Sequence, residues 1–297
     1  MNIIENDYLR AEIIPEAGAS LVSLSGKIKG EWQPILQTAP PEAVEAQNAR
    51  KMASFILAPF SNMPADGKFT FKGQTYQLNH NGDGNGSIQG DSNRHRWLVG
   101  EESTDYLVCY FDSSQVTDFN FPFPVAFEVH YSLLGEMLKV FLAVSNTGDK
   151  PIPAGLGIHP YFKRKVFDDG EPAFIQFSVK GMYPEQGGHM QKLPQDFDFS
   201  DLAPLSKANL DTCFGGWDGR AKILYPKTGV ELRYDCDAIY NHLVLHNSVD
   251  EPYFCMEPVS LANNAFNLAE SGLEGTGMRV LSPGERLGGN IRLTLFA

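Results

Sequence analysis

Three polar residues stand within apolar stretches of the sequence, where a titratable side chain could do acid–base chemistry. Glu257 follows an apolar run and precedes Pro258, and a carboxyl group in such a setting is a candidate for a perturbed pKa. His159 follows a segment that ends in small residues, and Pro160 fixes the backbone beside it. Asp211 lies among apolar neighbours. Taken singly, each also fits a structural role: a strand-end carboxylate that reaches solvent, a satisfied core histidine and a turn cap.

Two further histidines, His242 and His246, have the four-residue spacing that brings two metal ligands together on a helix. The residues between them are leucine, valine and leucine, which predict a strand instead. At about 3.3 Å per residue the two rings would stand roughly 13 Å apart, too far to share one ion. We therefore expect two ordinary half-buried histidines and no metal. Neither glycine-rich stretch, 82–86 or 272–277, has the strand-and-helix context of a phosphate-binding loop, so no organic cofactor is expected.

The charge of the chain excludes several classes of partner. Its 297 residues carry a formal net charge of −12 at pH 7, and so acidic a surface repels the phosphate backbone of nucleic acid. The compact basic cluster at residues 163–165 is interpreted as solvated surface charge. No apolar stretch approaches the ~18 residues that span a bilayer, and the first residues lack the pattern of a signal peptide. Four scattered cysteines without disulfide or metal spacing complete the pattern of a cytoplasmic protein without a membrane partner.

Alternating apolar residues predict strands along the whole chain. The clearest pattern covers residues 125–144, where two alternating runs flank a turn at Gly135 and predict a long antiparallel hairpin with one buried face. Shorter runs of the same kind recur at residues 69–78, 175–179, 223–234 and 291–295. Strands do not alternate with helices, which disfavours a parallel sheet. The sequence therefore predicts an all-β, mostly antiparallel sandwich.

Helical patterns are few. A helix of about three turns is predicted over residues 41–52 and a shorter one over residues 202–210. No linker or change of composition interrupts the chain, and all-β sandwiches reach this length as one unit. We therefore expect a single domain over residues 1–297.

Six ordered motifs resemble those of the aldose 1-epimerase (galactose mutarotase) family along nearly the full length of the chain. The most specific is a strand containing Asn146 that leads to a Gly-Ile-His-Pro-Tyr-Phe loop at residues 157–162, similar to the family's G-x-H-P-Y-F signature. The other five, with their residues, are PEAGASL at 15–21, APFSN with GKF at 58–62 and 67–69, LD with GWD at 210–211 and 216–218, MEP with AFN at 256–258 and 265–267, and PGE at 283–285. Any one of these motifs is weak evidence, whereas six in order are specific.

The resemblance implies a galactose-mutarotase-like β-supersandwich with a sugar groove on one concave sheet. By the matching motifs, Glu257 is the general base, His159 the general acid and Asp211 a ligand of sugar hydroxyls. The implied reaction interconverts the α and β anomers of a free aldose through ring opening, because the base removes the O1 proton while the acid protonates the ring oxygen. Trp217 and Tyr161 are candidate apolar platforms for a sugar face, with core packing as the alternative. The implied partner is a small-molecule sugar, with no metal or cofactor, and the implied assembly is a monomer or homodimer.

Two positions depart from the family pattern. Where the family has Asn-Arg this chain has Asn62-Met63, and where the family has His-Gly it has Gln89-Gly90. The family residues bind hydroxyls or polarise the ring oxygen. Asn62 and Gln89 stay candidate substrate-binding residues because both can hydrogen-bond a hydroxyl, which Met63 cannot. An arginine or histidine from residues 94–96 is the candidate substitute. The departures leave the acid–base pair intact but do not give the identity of the sugar.

Two other functions stay open at the level of the sequence. A hexose-6-phosphate mutarotase of the same superfamily would need several arginines around O6 of the sugar, and only Arg94 and Arg96 lie near a site motif. A sugar-binding protein without turnover would use the same groove, but it would have no need for Glu257 and His159 as a pair. The leading hypothesis is therefore an isomerase of carbohydrate metabolism that acts on a free aldose.

Overall fold

The computed structural model describes residues 1–81, 87–167, 170–185, 187–205 and 210–297. Among these described residues two short α-helices, α1 Pro41–Glu45 and α2 Ala265–Glu270, accompany a fold built mainly from strands. In chain order the strands are β1 Asn2–Glu5, β2 Leu9–Ile14, β3 Ser20–Ile28, β4 Glu31–Pro34, β5 Ser54–Leu57, β6 Lys68–Phe71, β7 Gln74–Gln77, β8 Leu98–Glu102, β9 Tyr106–Asp112, β10 Val125–Leu134, β11 Met137–Asn146, β12 Ile152–Ala154, β13 Gly157–Lys163, β14 Phe174–Phe177, β15 Gly181–Tyr183, β16 Ala203–Pro204, β17 Leu210–Gly215, β18 Arg220–Tyr225, β19 Val230–Cys236, β20 His242–Asn247, β21 Tyr253–Val259, β22 Arg279–Leu281 and β23 Arg286–Phe296.

Two large sheets organise the described residues. The first sheet has the order β1-β2-β3-β5-β13-β21-β20-β17-β15, with β4 paired to β3. The second has the order β16-β14-β18-β19-β23-β11-β10-β9-β8. Two small ribbons, β6-β7 and β12-β22, lie outside them. The central pairs of both large sheets are antiparallel, which confirms the predicted all-β, mostly antiparallel fold.

The hydrophobic core lies between the two large sheets. In the hairpin β10-β11, Val129 pairs with Leu142, and the alternate residues on this face are buried. The hydroxyl of Tyr131 donates a hydrogen bond of 2.8 Å to the carbonyl oxygen of Ala19 on the facing side. Burying one such apolar side chain contributes about 1.5–3 kcal/mol, so this face anchors the second sheet to the first. The core cluster draws on both sheets, and the expectation of a single domain over residues 1–297 stays a prediction.

The predicted strand runs match observed strands more closely than the predicted helices match observed helices. The hairpin over 125–144 is confirmed as β10-β11, and the runs at 69–78, 223–234 and 291–295 fall in β6-β7, β18-β19 and β23. The run at 175–179 is confirmed only in part, since β14 ends at Phe177.

Both helix predictions are wrong in extent. The helix predicted over 41–52 ends at Glu45, because Gln47 adopts a left-handed conformation (φ 52°), and a separate 3-10 turn follows at Ala49–Lys51. Within the range 202–210, Ala203–Pro204 is the edge strand β16, and residues 206–209 lie outside the described part of the chain, as does the glycine-rich stretch 82–86. No helix in the described residues is long and apolar enough to cross a membrane.

Candidate active site

Strand alternation in β13 places His159 on the outer face of the first sheet. Ile158 and Pro160, on either side of it, line a small cavity between the two sheets together with Leu293 of β23. Because successive side chains of a strand point to opposite faces, His159 and Tyr161 point away from the core. The motif that the sequence analysis singled out is therefore a strand with one core face and one face available for chemistry.

Strand register gathers side chains from four neighbouring strands on this outer face. Val244 of β20 pairs with Glu257 of β21 and with Cys213 of β17. In β13, Gly157 pairs with Val259 and Tyr161 pairs with Cys255, so His159, midway between them, lies opposite Glu257. Two rows of side chains thus cross the sheet from β13 to β17. The first row consists of His159, Glu257, Val244 and Cys213. The second row lies two residues away on each strand and consists of Tyr161, Cys255, His246 and Asp211.

A pocket of about 180 Å³ opens over these rows. It brings together five of the residues predicted for the site: Asn62, Gln89, His159, Asp211 and Glu257. The other lining residues are Met63, Ile88, Glu185, Cys213, Val244, His246 and Asn263. Two larger cavities, of about 440 and 430 Å³, lie over the second sheet, and a third, of about 260 Å³, is lined by Asp91 and its neighbours. None of the three contains His159, Asp211 or Glu257, so the predicted residues do not lie in the largest cavity.

His159 and Glu257 form a buried contact at the base of the pocket. The Nε2 atom of His159 lies 3.2 Å from Oε1 of Glu257. Phe55 and Tyr161 stack on the imidazole, with ring centroids at 4.7 and 4.6 Å, and fix its plane. Burial raises the pKa of the Glu257 carboxyl well above its ordinary value, and the nearby charge of Asp211 raises it further. Burial also lowers the pKa of His159 to about 3, so burial favours a neutral carboxyl group beside a neutral imidazole.

Asp211 and His246 form a second, more exposed pair on the other side of the pocket. Oδ2 of Asp211 lies 3.8 Å from Nδ1 of His246. The neighbouring carboxylate of Asp211 raises the pKa of His246, because it favours the charged imidazolium. The carboxylate of Asp211 is exposed and lines the pocket, so it is accessible to a ligand hydroxyl.

The two predicted aromatic platforms have different positions. Tyr161 lies against the imidazole of His159, and its hydroxyl donates a hydrogen bond of 3.0 Å to the carbonyl oxygen of Arg50. Trp217 is only 3% exposed, and its Nε1 donates to the carbonyl oxygen of Arg220. The structure does not place Trp217 in the pocket, because the indole packs in the core against Tyr234. Core packing, the alternative raised for both residues, is what the structure shows for Trp217.

The two departures from the family pattern meet at one edge of the pocket. Asn62 and Gln89 both have left-handed backbones, with φ of 56° and 63°. The backbone N–H of Gln89 donates a hydrogen bond of 2.7 Å to the carbonyl oxygen of Asn62, which ties the two loops together. Met63, 44% exposed, lines the pocket beside them. A thioether and an amide therefore stand where the family has a guanidinium and an imidazole.

The suggested substitutes at residues 94–96 do not line this pocket. Arg94 lies 3.8 Å from Asp91, and Arg96 lies 3.9 Å from Glu16. His95 bonds Asp91 at 2.7 Å. A different cation supports the loop instead: Arg50 donates a hydrogen bond of 3.1 Å from Nη2 to the carbonyl oxygen of Ile88, next to Gln89.

Sequence reasoning missed several lining residues, above all His246, Glu185 and Asn263. The prediction that His242 and His246 lie on a strand is confirmed, since both belong to β20. His242 is fully buried rather than half-buried, whereas His246 reaches the pocket. The available signal was strand alternation, but the partner strand that carries Asp211 is not visible in the sequence.

The same base of the pocket also gathers three potential metal ligands that the sequence did not reveal. A ring nitrogen of His159, Sγ of Cys255 and a carboxylate oxygen of Glu257 all lie within 4.8 Å of one another, and all three residues are buried. Cys255 and Glu257 are two apart on β21, so they share a face. His159 comes from β13, far away in the sequence.

Comparison with known proteins assigns the chain to a family. The family model for aldose 1-epimerase matches residues 2–294, and the protein therefore belongs to the aldose 1-epimerase family. Among curated relatives, the uncharacterised protein YphB of Escherichia coli K12 is 28% identical over 276 residues, which cover 88% of this chain and 89% of YphB.

Solved structures share the fold at low sequence identity. A galactose mutarotase-like protein from Clostridium acetobutylicum superposes with a TM-score of 0.80 at 21% identity, covering 99% of this chain and 94% of that one. An aldose epimerase homologue from C. elegans gives a TM-score of 0.81 at 17% identity, covering 99% of this chain and 98% of that one. The protein thus has the galactose-mutarotase-like fold that its motifs implied.

Proposed function

We propose that this protein is an aldose 1-epimerase that interconverts the α and β anomers of a free aldose, with Glu257 as general base and His159 as general acid. The observation that carries the proposal is the 3.2 Å contact between His159 and Glu257 at the base of a polar pocket. O1 and the ring oxygen are both bonded to C1, so a base for one and an acid for the other must be close neighbours. This contact meets that requirement.

The pair needs one transferable proton. Before substrate binds, burial favours the proton on Glu257, as the direction of its pKa indicates. Sugar hydroxyls that donate to the carboxylate stabilise its charged form, so the proton passes to His159. Glu257 then takes the proton of O1 while His159 gives its proton to the ring oxygen, and the bond between C1 and the ring oxygen opens.

Ring closure returns both protons. After rotation about the C1–C2 bond, the ring-oxygen hydroxyl attacks the other face of the aldehyde, gives its proton to His159, and the new O1 takes one from Glu257. Each proton transfer contributes typically 10²–10⁴-fold. Asp211 is proposed to accept hydrogen bonds from sugar hydroxyls, and Asn62 and Gln89 are proposed to bind others.

The pocket supports a free sugar more than a sugar phosphate. Its lining includes the carboxyl groups of Glu185, Asp211 and Glu257, and within the described residues it includes no lysine or arginine. A phosphate there would face negative charge without a cation to bind it.

Polarimetry with pure protein tests the function: α-D-glucose, α-D-galactose and several pentoses should reach anomeric equilibrium faster than buffer alone allows. Acceleration of none of them would contradict the proposal.

The pH profile of kcat/KM should be broad, and its two limbs should lie away from the ordinary pKa values of histidine and glutamate. The active form holds one proton on the pair, and kcat/KM reports the free enzyme. On the acid side activity is lost when a second proton enters, which the low pKa of His159 postpones to about pH 3. On the alkaline side activity is lost when the pair releases its proton, which the raised pKa of Glu257 postpones to above the usual carboxyl range. Initial rates across pH, corrected for spontaneous mutarotation, give this profile.

A control separates the second histidine from the pair. His246 carries a pKa that Asp211 raises, so its titration adds a limb of its own if it affects binding. The His246→Asn variant removes that limb and should leave the alkaline limb in place, whereas the acid limb should move to slightly higher pH because the charge of His246 no longer lowers the pKa of His159. An acid limb near about 4.3 and an alkaline limb near about 6.5, the ordinary values of glutamate and histidine, would contradict the assignment.

The departures at Met63 and Gln89 should weaken galactose binding rather than abolish the chemistry. A charge-assisted hydrogen bond contributes about 1.5–3 kcal/mol, so its absence raises KM by roughly ten- to a hundredfold for a sugar that depends on it. We therefore expect a weak galactose mutarotase that prefers another aldose. The double variant Met63→Arg with Gln89→His should lower KM for galactose, as measured by polarimetry against substrate concentration.

A matched control for that variant lies outside the pocket. Met190→Arg changes an exposed methionine that does not line the pocket, and it should leave galactose kinetics unchanged. A native KM for galactose below about a millimolar would show that other residues fill the missing roles. Arg50, which supports the loop at Ile88, is then the first to replace, since Arg94 and Arg96 pair elsewhere.

A further inference from the structure

We propose that His159, Cys255 and Glu257 form a binding site for Zn²⁺, and that the ion inhibits the protein by occupying the base of the pocket. The inference rests in part on the proposed function, since the inhibition depends on His159 and Glu257 being the acid–base pair. The binding itself depends only on the three side chains. They offer an imidazole nitrogen, a thiol sulfur and a carboxylate oxygen within 4.8 Å of one another.

The spacing of these atoms is close to that of a zinc ligand set. Two nitrogen or oxygen ligands at about 2.0–2.1 Å from a tetrahedral ion lie about 3.3 Å apart, and a sulfur at about 2.3 Å lies about 3.6 Å from either. Nε2 of His159 and Oε1 of Glu257 are already 3.2 Å apart. The sulfur of Cys255 lies at most 4.8 Å from the other two ligand atoms, so it needs to move roughly 1 Å closer to them. A rotation about the Cα–Cβ bond of Cys255 can supply this movement.

The backbone holds the three ligands in place before any ion arrives. Cys255 and Glu257 project from one face of β21, and the neighbouring strand β13 presents His159 directly opposite Glu257. Phe55 and Tyr161 both pack against the imidazole and restrict its rotation. Little conformational entropy is therefore lost on binding, which favours affinity.

The charges of the site suit a divalent ion. Binding releases one proton from the thiol and one from the carboxyl group, so a thiolate, a carboxylate and a neutral imidazole surround the ion. Two negative ligands balance the two positive charges of Zn²⁺, so the buried complex is neutral and avoids the cost of an unpaired buried charge. The pocket above His159 and Glu257 leaves a fourth position open to water. The thiolate favours Zn²⁺ and excludes Mg²⁺ and Ca²⁺, which prefer oxygen ligands.

Metal binding and proton transfer compete for the same atoms. An ion on His159 and Glu257 takes the lone pairs that the reaction uses, so the occupied pocket cannot transfer either proton. We expect Zn²⁺ to inhibit mutarotation reversibly, with full recovery on addition of a chelator, while Mg²⁺ at the same concentration has no effect. The metal-free protein should be fully active, and a chelator alone should not reduce its rate.

Binding is tested without reference to activity by titration with Co²⁺ as a spectroscopic stand-in for Zn²⁺. The intact protein should develop a thiolate-to-metal charge-transfer absorption together with the visible bands of a tetrahedral site, and Zn²⁺ should displace both. Cys255→Ser should remove the charge-transfer absorption and raise the half-inhibiting Zn²⁺ concentration at least about tenfold, since loss of even an outer-shell partner costs 10–100-fold in affinity.

The matched control is Cys213→Ser, which changes another buried thiol, one that lines the pocket but lies outside the cluster. It should keep both the absorption and the sensitivity to Zn²⁺. The metal site is contradicted if the intact protein shows no charge-transfer absorption, a result that does not depend on how the variants fold. It is also contradicted if the absorption is lost in Cys213→Ser and kept in Cys255→Ser. The absorption without any mutarotase activity would leave the metal site standing and contradict the proposed function alone.

Discussion

Glu257→Gln should lower kcat by about 10²–10⁴-fold and change KM little, because the substitution removes one proton-transfer step. Glutamine has the shape of glutamate and can still hydrogen-bond a hydroxyl, but it cannot accept a proton from O1. The side chain is buried at the base of the pocket, 3.2 Å from His159, so no solvent-exposed carboxylate can take its place there. Polarimetric progress curves at several concentrations of the preferred aldose separate kcat from KM.

The matched control is Asp211→Asn, the same chemical change on another carboxylate of the same pocket. Asp211 is exposed and is proposed to bind hydroxyls, so its replacement should raise KM by roughly ten- to a hundredfold and lower kcat much less. If Glu257→Gln mutarotates at the wild-type rate, or if the two variants show the reverse pattern, Glu257 is not the base. Thermal unfolding of both variants checks that the change in rate does not come from a loss of folded protein.

His159→Asn should lower kcat by a similar factor of about 10²–10⁴. Asparagine keeps a polar group near the ring oxygen but has no proton to transfer in the accessible pH range. Because the imidazole packs against Phe55 and Tyr161, its removal also leaves space in the wall of the pocket. A modest loss of thermal stability is therefore expected together with the loss of rate.

The double variant tests whether the two residues act as a unit. Groups that carry one proton between them are strongly non-additive, so Glu257→Gln with His159→Asn should be about as slow as either single variant. His246→Asn is the control for the loss of an imidazole from this pocket, and it should affect KM more than kcat. Full additivity of the two single effects would show that His159 and Glu257 act in separate steps.

The sequence by itself determined the class of fold, and it was sufficient to propose the two reactive residues. Alternation over residues 125–144 predicts β10-β11, because a half-buried strand must place an apolar residue at every second position. The Gly-Ile-His-Pro-Tyr-Phe and Met-Glu-Pro motifs, which lie on β13 and β21, point to His159 and Glu257 through their resemblance to the family. The ends of the helices were predicted less well, because a single residue can decide where a helix stops. Gln47 adopts a left-handed backbone conformation, and α1 therefore ends earlier than predicted.

Only the tertiary structure decided which side chains share the pocket. His159, Cys255, His246 and Asp211 lie on four strands that meet through register, and register depends on hydrogen bonds between segments far apart in the chain. The same long-range pairing placed His246 beside Asp211, left Trp217 in the core, and directed Arg94 and Arg96 towards Asp91 and Glu16. It also brought Cys255 close to His159 and Glu257. A pattern of alternation states which face a residue takes, but not which strand lies beside it, and the proposed chemistry depends on both.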